Sequence, residues 1–484
     1  MSGNAGMDRK QGNLQSNDDY IREIENRLLP VVRLRGEDRK LTLAELMENN
    51  RIPAVSIAVM EGGRVAWAKA WGVLKAGGTA SADTETLFQA ASMSKVVTAF
   101  LVLRQVENGF LDLDRDVNTW LHAWKVPENE FTRQQPVTLR HILCHNAGLT
   151  VHGFGRCKAD EPPTILDILN GRPPAENGPV FVDTLPGSQE RYSGGGTTVC
   201  QLLLEEISGK SFGELASEQI FEPLGMVRST FADPLPVTLW PNTARGHLSD
   251  GTVADRWWYG CPSAAAGGLW TTPTEYAMLF LEISKAHAGK PGLLGVEFAR
   301  EMLQRPGEGF FALGPRVKGS GESAWFNHGG FHEDFKSEAV MYVESGLGAV
   351  IMVNGGLTEM PCWEILNGIA AAYGWPGFLP AEKTSIDMPQ NDLDRYIGEY
   401  RIVSGYEPGD RMSIWKEDGK LMGQMEPLPA LQILFESGTE LFSLANPYGM
   451  HVDFADNGKA AVLTVMEDQV PMIKAVRIEE PSRS

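Results

Sequence analysis

The sequence predicts an α+β fold in which helices flank an antiparallel sheet, a helical lobe is inserted, and a small antiparallel β-barrel follows. Strand-like apolar runs occupy 53–60 and 65–73, joined by a glycine turn, and similar runs return at 338–343 and 347–353. The segments between them carry apolar residues at helical spacing. These observations predict one sheet whose strands are separated by a helical insertion.

The chain divides into a tail, a large domain, a linker and a barrel. Residues 1–19 are polar and predict a disordered tail, and residues 20–375 form the helix-and-sheet domain. The proline-containing, aperiodic segment 376–391 has the composition of a linker. Residues 392–484 hold short strands at about ten-residue spacing, which is typical of a closed barrel or sandwich.

The individual helices and barrel strands follow from apolar periodicity. A long helix is predicted from near Ser92 to Asn108, where Gly109 supplies a stop. Further helices are predicted at 20–34, 137–145, 163–170, 197–208, 211–222 and 361–373. The barrel strands are predicted at 396–402, 411–415, 420–424, 431–435, 441–444, 451–454 and 461–466.

The charge balance argues against binding to nucleic acid. The 484 residues include 43 Lys plus Arg and 62 Asp plus Glu, so the net charge is −19, and no basic run is visible. No window approaches the apolar length of a membrane span, and residues 1–19 lack the apolar stretch of a signal peptide. We therefore expect no nucleic-acid or membrane partner and a cytoplasmic location.

No metal site or disulfide framework is predicted. The five cysteines are widely spaced and contain no C-x-x-C pair. The acidic run 112–116 resembles the start of a calcium loop but lacks the glycine and glutamate that the loop requires. The i, i+4 histidine pairs His141/His145 and His328/His332 lack the H-E-x-x-H glutamate, so a structural or hydrogen-bonding role is expected for them.

A serine motif near the middle of the chain has a structural interpretation. Gly209-Lys-Ser211-Phe-Gly213 matches the G-x-S-x-G nucleophile elbow, but a predicted helix precedes it where an elbow needs a strand. Ser211 with Glu214 instead forms the pattern of a capping box for the next helix. We expect Ser211 to be a helix cap.

A serine and a lysine three residues apart open the long central helix. Ser92-Met-Ser-Lys95 places both side chains on one helix face, so the lysine amine can reach the hydroxyl. To act as a base the amine must be neutral, a state that burial favours. An N-cap serine with a solvated lysine is the structural alternative, and the same spacing recurs at Ser413 and Lys416 inside a predicted strand. Spacing alone therefore does not decide the role of Ser92.

Two downstream segments change the interpretation of Ser92. One places Tyr192 in a loop before a helix, and the other places His328, Gly329 and Gly330 on a strand-like segment that could approach a substrate closely. A serine, a lysine, a tyrosine and a glycine-lined strand together supply a nucleophile, a base, a proton relay and oxyanion donors. The combination predicts nucleophilic catalysis.

These elements, in this order, resemble the serine β-lactamase-like superfamily, which includes penicillin-binding proteins, class C type β-lactamases, D-aminopeptidases and β-lactamase-like carboxylesterases. The likeness covers roughly residues 20–375, and residues 392–484 resemble the lipocalin-like barrel appended to some members. The segments that look like family blocks are 88–95, 137–149, 186–196, 221–226, 266–273 and 327–330.

The resemblance implies a role for each matching residue. Ser92 would attack a carbonyl carbon to form an acyl-enzyme, Lys95 would take its proton, and Tyr192 would serve the leaving group and the deacylating water. The backbone N–H groups of Ser92 and Phe331 would form the oxyanion hole, and no metal or organic cofactor would be needed. The implied substrate-binding residues are Gly194, His328, Gly329 and Gly330.

Two departures from the family pattern bear on the substrate. The family's Tyr-x-Asn motif ends here in Gly194, and its Lys-Thr-Gly strand motif is replaced by His328-Gly329-Gly330. A histidine with an ordinary pKa of about 6.5 is only partly charged at pH 7, so the ammonium that would bind a lactam carboxylate is replaced by a partial charge. Both departures favour a small ester or amide.

We therefore expect a serine hydrolase that acts most readily on small carboxylic esters. A D-aminopeptidase or amidase, a β-lactamase, and a catalytically inactive ligand- or peptide-binding protein are the alternatives. The sequence leaves open the physiological substrate, whether the chain forms a homo-oligomer, and whether the barrel interior is packed or holds a ligand.

Overall fold

A computed structural model describes residues 16–154, 162–255, 263–358, 360–405, 410–426 and 428–478. The predicted tail up to residue 15, and Cys157 and Cys261, lie outside the described residues. The α+β class with a C-terminal barrel is confirmed.

The described chain has helices and strands mixed at its start, a helix-rich middle and mostly strands after residue 302. The first helix begins at Asn17 with Ser16 as its N-cap, a few residues earlier than the sequence predicts. The helices are α1 (Asn17–Asn26), α2 (Leu43–Asn49), α3 (Ser94–Glu107), α4 (Glu130–Gln134), α5 (Leu139–Leu143), α6 (Ile165–Asn170), α7 (Gly194–Ser208), α8 (Phe212–Ala216), α9 (Glu222–Leu224), α10 (Ala264–Gly267), α11 (Pro273–His287), α12 (Val296–Met302) and α13 (Met360–Tyr373).

The strands fall into a central sheet, a barrel and two short pairs. They are β1 (Val32–Leu34), β2 (Ala54–Glu61), β3 (Arg64–Gly72), β4 (Phe88–Gln89), β5 (Trp270–Thr271), β6 (Arg316–Lys318), β7 (Trp325–Phe331), β8 (Lys336–Tyr342), β9 (Gly348–Val353), β10 (Ala381–Lys383), β11 (Gly398–Ser404), β12 (Arg411–Glu417), β13 (Lys420–Met425), β14 (Leu431–Phe435), β15 (Glu440–Phe442), β16 (Gly449–Phe454), β17 (Ala460–Glu467) and β18 (Val470–Arg477).

The central sheet is antiparallel and is covered by helices on both faces. Among the described residues its strand order is β3-β2-β9-β8-β7-β6. Gly62 and Gly63 both have positive φ, which the two-residue hairpin between β2 and β3 requires. Nearly every residue of β2 is buried, because alternate side chains enter two different cores. One core is shared with α1 and α13, and the other with α3 and α11.

The helical lobe lies between the strand pair β2/β3 and the strands β6 to β9, as predicted. Its central member, α3, has buried residues on every side, including Val96, Phe100 and Leu103. A helix that is apolar all round must be enclosed by other elements, and α7 and α10 pack against it. The lobe thereby fixes the first turn of α3 against the sheet.

The C-terminal unit is a closed antiparallel barrel of β11 to β18, as far as the chain is described. The strand β18 was not predicted from the sequence. Pro471 lies within it, and proline argues against a strand. The turn before it is Asp468-Gln469, whose residues adopt positive φ without the glycine that usually marks such a hairpin.

The segment predicted as a linker is partly structured. Its strand β10 pairs in parallel with β1 in the register Val32↔Ala381, and Ile386 forms an isolated bridge to Phe435 in the barrel. The chain between the two units is therefore tied to both of them.

An ion-pair cluster joins the barrel to the central sheet. Glu467, at the end of β17, contacts Arg316 at 2.7 Å and Lys318 at 2.6 Å, and both cations belong to β6. Lys318 also contacts Asp468 at 2.7 Å. Burial opposes ionisation of Glu467, but Arg316 and Lys318 hold its pKa below the ordinary value. The cluster positions the β17–β18 hairpin beside the sheet.

Replacing Glu467 tests whether this cluster holds the barrel in place. Because the side chain of Glu467 is only 9% exposed, Glu467→Ala removes a buried carboxylate from Arg316 and leaves Lys318 with only the exposed Asp468 as its partner. We expect a loss of about 3 kcal/mol in the free energy of unfolding, measured by urea denaturation. Asp468→Ala is the control, since that exposed pair contributes under about 1 kcal/mol. Equal losses in the two variants would contradict a structural role for Glu467.

Candidate active site

Ser92 lies in a strained turn that leads into α3. The turn Ala91–Met93 is a single 3₁₀ turn, and Ala91 has φ of 46°, which is unfavourable for a residue with a Cβ. The hydroxyl of Ser94 donates to the carbonyl of Ala91 at 2.7 Å, and the phenol of Tyr276 donates to the carbonyl of Met93 at 2.9 Å. These hydrogen bonds keep the turn in its strained conformation.

Lys95 is buried and its amine lies next to Ser92. The Nζ atom donates to Ser92 Oγ at 3.1 Å and to the carbonyl of Ala266 at 2.7 Å. The residue is 5% exposed. The helix α10, which carries Ala266, is itself held by a hydrogen bond of 2.8 Å from Thr98 to the carbonyl of Ala265. The serine–lysine contact predicted from the spacing is present.

Tyr192 lies directly before α7 and faces the lysine. Its ring centroid is 4.8 Å from Lys95 Nζ and 4.3 Å from the ring centroid of His145. The next residue, Ser193, caps α7 by accepting from Gly196 N at 2.9 Å, and its own N–H donates to His145 Nδ1 at 3.2 Å. His145 and the helix cap therefore fix the position of the tyrosine.

The strand β7 passes very close to the turn that carries Ser92. A Cβ at Gly330 would overlap the carbonyl oxygen of Ala90 and the hydroxyl of Ser337, so no larger residue fits there. Ser337 also donates to the carbonyl of Ala90 at 3.0 Å. Phe331 ends β7, and Ser92, Gly329, Gly330 and Phe331 line one cleft of about 950 Å³.

Burial keeps three histidines in or beside the cleft neutral. It lowers the pKa of His328 to about 3 and that of His152 to about 4, and it places the pKa of His145 well below the ordinary value. The nearby amine of Lys95 adds to each effect. The expectation that His328 is partly charged at neutral pH is therefore wrong, because that expectation took no account of burial.

Neutral His328 presents a hydrogen-bond acceptor to the cleft. Its Nδ1 lies 2.7 Å from the carbonyl oxygen of Gly329, so Nδ1 carries the proton. Its Nε2 is buried and has no hydrogen-bond partner. A buried acceptor without a partner is costly, and a donor group on a ligand would satisfy it.

The space beside Gly194 is already filled. A Cβ at Gly194 would lie 3.1 Å from the ring of Phe154 and 3.2 Å from the carbonyl oxygen of His152. An asparagine side chain at this position would therefore displace Phe154. Phe154 therefore occupies the space that the asparagine side chain of the family's Tyr-x-Asn motif would need.

The cleft also contains cations that the sequence did not indicate. Arg316 and Lys318 line it, and so do Glu467 and Asp468, which neutralise them. Because Glu467 comes from the barrel, no local motif could reveal this pairing. Other cleft residues missed from the sequence are His152, Phe154, Phe311, Met360 and Tyr448. The sequence predicts only a structural or hydrogen-bonding role for His145, although this residue lies in the segment 137–149, which looks like a family block.

The competing motifs have structural roles. Ser211 caps α8 and forms the predicted capping box with Glu214. Ser413 lies on β12, where its hydroxyl donates to Glu399 at 2.8 Å. Asp114 pairs with Arg140 at 2.7 Å. Within the described residues, His, Cys, Asp and Glu side chains form no cluster of three that could hold a metal ion.

The fold and this cleft match a family of known proteins. A family model described as Beta-lactamase matches residues 40–361, and the chain therefore belongs to the β-lactamase family, with a β-barrel following the family domain. Over the part of the chain that is described, no helix has the length and apolarity needed to span a bilayer.

Individual relatives are distant. Penicillin-binding protein 4 of Amycolatopsis lactamdurans is 28% identical over 190 residues, which is 38% of this chain and 46% of that protein. The chain spans less than two thirds of the length of the first curated relatives that it matches.

Two solved structures share the fold. The octameric penicillin-binding protein homologue from Pyrococcus abyssi has a TM-score of 0.60 and 19% identity, covering 90% of this chain and 98% of its own. D-amino acid amidase from Ochrobactrum anthropi SV3 has a TM-score of 0.55 and 21% identity, covering 67% of this chain and 94% of its own.

Adding a methyl group to β7 tests the close approach at Gly330. Gly330→Ala would push the strand away from the Ser92 turn, and we expect kcat on an ester substrate to fall by about 10²–10³. Gly438→Ala, where a Cβ meets open space, is the control and should keep full activity. Full activity in Gly330→Ala would show that β7 need not lie against the turn.

The buried histidines predict a loss of stability in acid. The unfolded chain binds protons below about pH 6.5, whereas folded His328 binds one only near its pKa of about 3, so stability falls as the pH drops between these values. His328→Gln should reduce the slope of unfolding free energy against pH by up to about 1.4 kcal/mol per pH unit. The measurement is urea denaturation from pH 7 to pH 4, and an unchanged slope would contradict burial of neutral His328.

Proposed function

We propose that this protein is a serine hydrolase that cleaves small carboxylic esters through an acyl-enzyme formed on Ser92. The observation that carries the proposal is the contact of 3.1 Å between Lys95 Nζ and Ser92 Oγ in a cleft that also contains Tyr192. A buried amine beside a serine hydroxyl is the arrangement that activates a serine nucleophile.

The proposed reaction has two halves. In the first, Ser92 Oγ attacks the ester carbonyl, Lys95 accepts its proton, and the alcohol leaves with a proton relayed through Tyr192. In the second, water attacks the acyl-enzyme, gives its proton to the same groups, and releases the acid and Ser92. Positioned proton transfer of this kind is worth about 10²–10⁴ in rate.

The backbone N–H groups of Ser92 and Phe331 are the proposed oxyanion hole. Their placement depends on the strained turn at Ala91 and on the close approach at Gly330. Donors held by packing need no reorganisation as charge develops on the carbonyl oxygen, and each contributes about 10²–10³ in rate.

The charges of the cleft support an ester without a carboxylate. His328 is neutral, and Arg316 and Lys318 are paired with Glu467. A lactam carboxylate would have to compete with Glu467 for these cations. The acceptor at His328 Nε2 suits a substrate hydroxyl or N–H instead.

The second candidate is an amide of a D-amino acid. The observation that favours it is the acceptor at His328, which could take an N–H of the substrate, together with the fold shared with D-amino acid amidase.

We also propose that the chain forms a homo-oligomer. The support is the octameric penicillin-binding protein homologue from Pyrococcus abyssi, whose fold covers 90% of this chain. Light scattering in solution would test this.

The second Ser-x-x-Lys of the chain provides a matched control for the nucleophile. We expect Ser92→Ala to lower kcat/KM for p-nitrophenyl acetate by at least about 10³, because the covalent step is lost. Ser413→Ala should retain wild-type activity. Full activity in Ser92→Ala would refute the assignment of Ser92 as the nucleophile. Faster turnover of D-alanine p-nitroanilide or of a chromogenic cephalosporin than of the ester would show that the preferred substrate is an amide or a lactam.

A further inference from the structure

The barrel is not packed throughout its interior. A cavity of about 900 Å³ opens within it. The sequence left open whether the barrel holds a ligand or is filled by side chains, and the structure shows a hollow half. The inward residues that line this half are Met412, Ile414, Met425, Ile433, Leu441 and Met450.

One end of the barrel is closed. Tyr396 and Phe435 pack there with ring centroids 5.1 Å apart, and both tyrosines, Tyr396 and Tyr400, are fully buried. The guanidinium of Arg477 donates to the Tyr400 hydroxyl at 2.7 Å and to the carbonyl of Ile397 at 2.7 Å. The cavity therefore extends from the opposite end of the barrel.

The open end faces the cleft that contains Ser92. The barrel cavity and the cleft have wall residues in common, from both units of the chain, so the two spaces adjoin. Tyr192, which faces Lys95, is one of them. The shared residues are His152, Tyr192, Phe311, Met360, Tyr448 and Met472.

We propose that the barrel cavity is a substrate subsite that binds a long unbranched apolar chain attached to the scissile ester. The inference rests on the proposed function and adds the class of substrate to it: a lipophilic ester whose carbonyl lies at Ser92 and whose chain passes Tyr192 into the barrel. The ion pairs of Glu467 with Arg316 and Lys318 keep the hairpin beside the cleft, so the passage between the two spaces is maintained.

The lining suits an apolar chain rather than a polar one. Methionine side chains are flexible and polarizable, so Met412, Met425 and Met450 can adjust to a chain of variable length. Each methylene that leaves water for such a site strengthens binding up to about fourfold. Chain length should therefore act on kcat/KM through the barrel.

The chain offers a matched pair of substitutions on one strand. Met425 and Met422 both belong to β13, but Met425 lines the cavity whereas Met422 does not. Met425→Trp would fill the open half of the barrel, and Met422→Trp adds the same bulk elsewhere. Met450→Phe on β16 is a second filling variant, in case Met425→Trp does not fold.

The kinetic test compares p-nitrophenyl acetate, hexanoate and decanoate, and the acetate esters of short and long alcohols. In the wild type we expect kcat/KM to rise at least about 10²-fold with chain length in one of the two series. The filling variants should lose most of that ratio, and Met422→Trp should retain it. A flat profile in both series, or an unchanged ratio in folded filling variants, would overturn the proposal.

A binding test separates this inference from the proposed function. N-phenyl-1-naphthylamine, a neutral apolar fluorescent probe, should bind wild type and Ser92→Ala alike and be displaced from Ser92→Ala by the decanoate ester. Affinity should fall at least about tenfold in Met425→Trp and not in Met422→Trp. If Ser92→Ala remains active the nucleophile is wrong, whereas equal probe affinity in the two tryptophan variants shows that the cavity is not the subsite.

Discussion

The amine of Lys95 is enclosed between the hydroxyl of Ser92 and the carbonyl of Ala266, and the rest of the catalytic unit depends on that placement. A lysine that is 5% exposed needs packing on every side, which the helical lobe supplies by burying most of α3, including its whole first turn. The sheet contributes the opposite wall, because Gly330 allows β7 to lie against the carbonyl of Ala90. The strain at Ala91 persists because both walls hold the turn.

Burial around this amine also sets the electrostatics of the cleft. Loss of water makes protonation of His145, His152 and His328 unfavourable and lowers the pKa of each, and the nearby Lys95 adds to the effect, so all three act as neutral rings. The permanent cations Arg316 and Lys318 are compensated by Glu467. The cleft can therefore offer hydrogen-bond acceptors and apolar surface to a substrate, while its basic groups at β6 serve to attach the barrel.

Parts of the molecule that depend on local patterns could be predicted from the sequence. The Ser92–Lys95 contact follows from helical spacing, and the position of Tyr192 follows from the helix start after it. The capping role of Ser211 was likewise evident from Glu214. Each of these depends on residues within a few positions of one another, where backbone geometry alone decides what can touch.

Features created by long-range packing could not be predicted. The pKa of His328 depends on burial that no motif encodes, and Glu467 reaches β6 across about 150 residues of sequence. The strand β18 could not be predicted, because Pro471 argues against a strand and the Asp468-Gln469 turn before it contains no glycine. The hollow half of the barrel depends on how side chains from many strands fill its volume, which periodicity does not measure.

The central claim is that Ser92 is the nucleophile, and trapping it covalently tests that claim most directly. The protein would be treated with a fluorophosphonate and analysed by intact mass and peptide mapping. One adduct per chain on the peptide containing Ser92, absent from Ser92→Ala and retained in Ser413→Ala, is the predicted result. Undiminished labelling of Ser92→Ala, or an adduct on another residue, would contradict it.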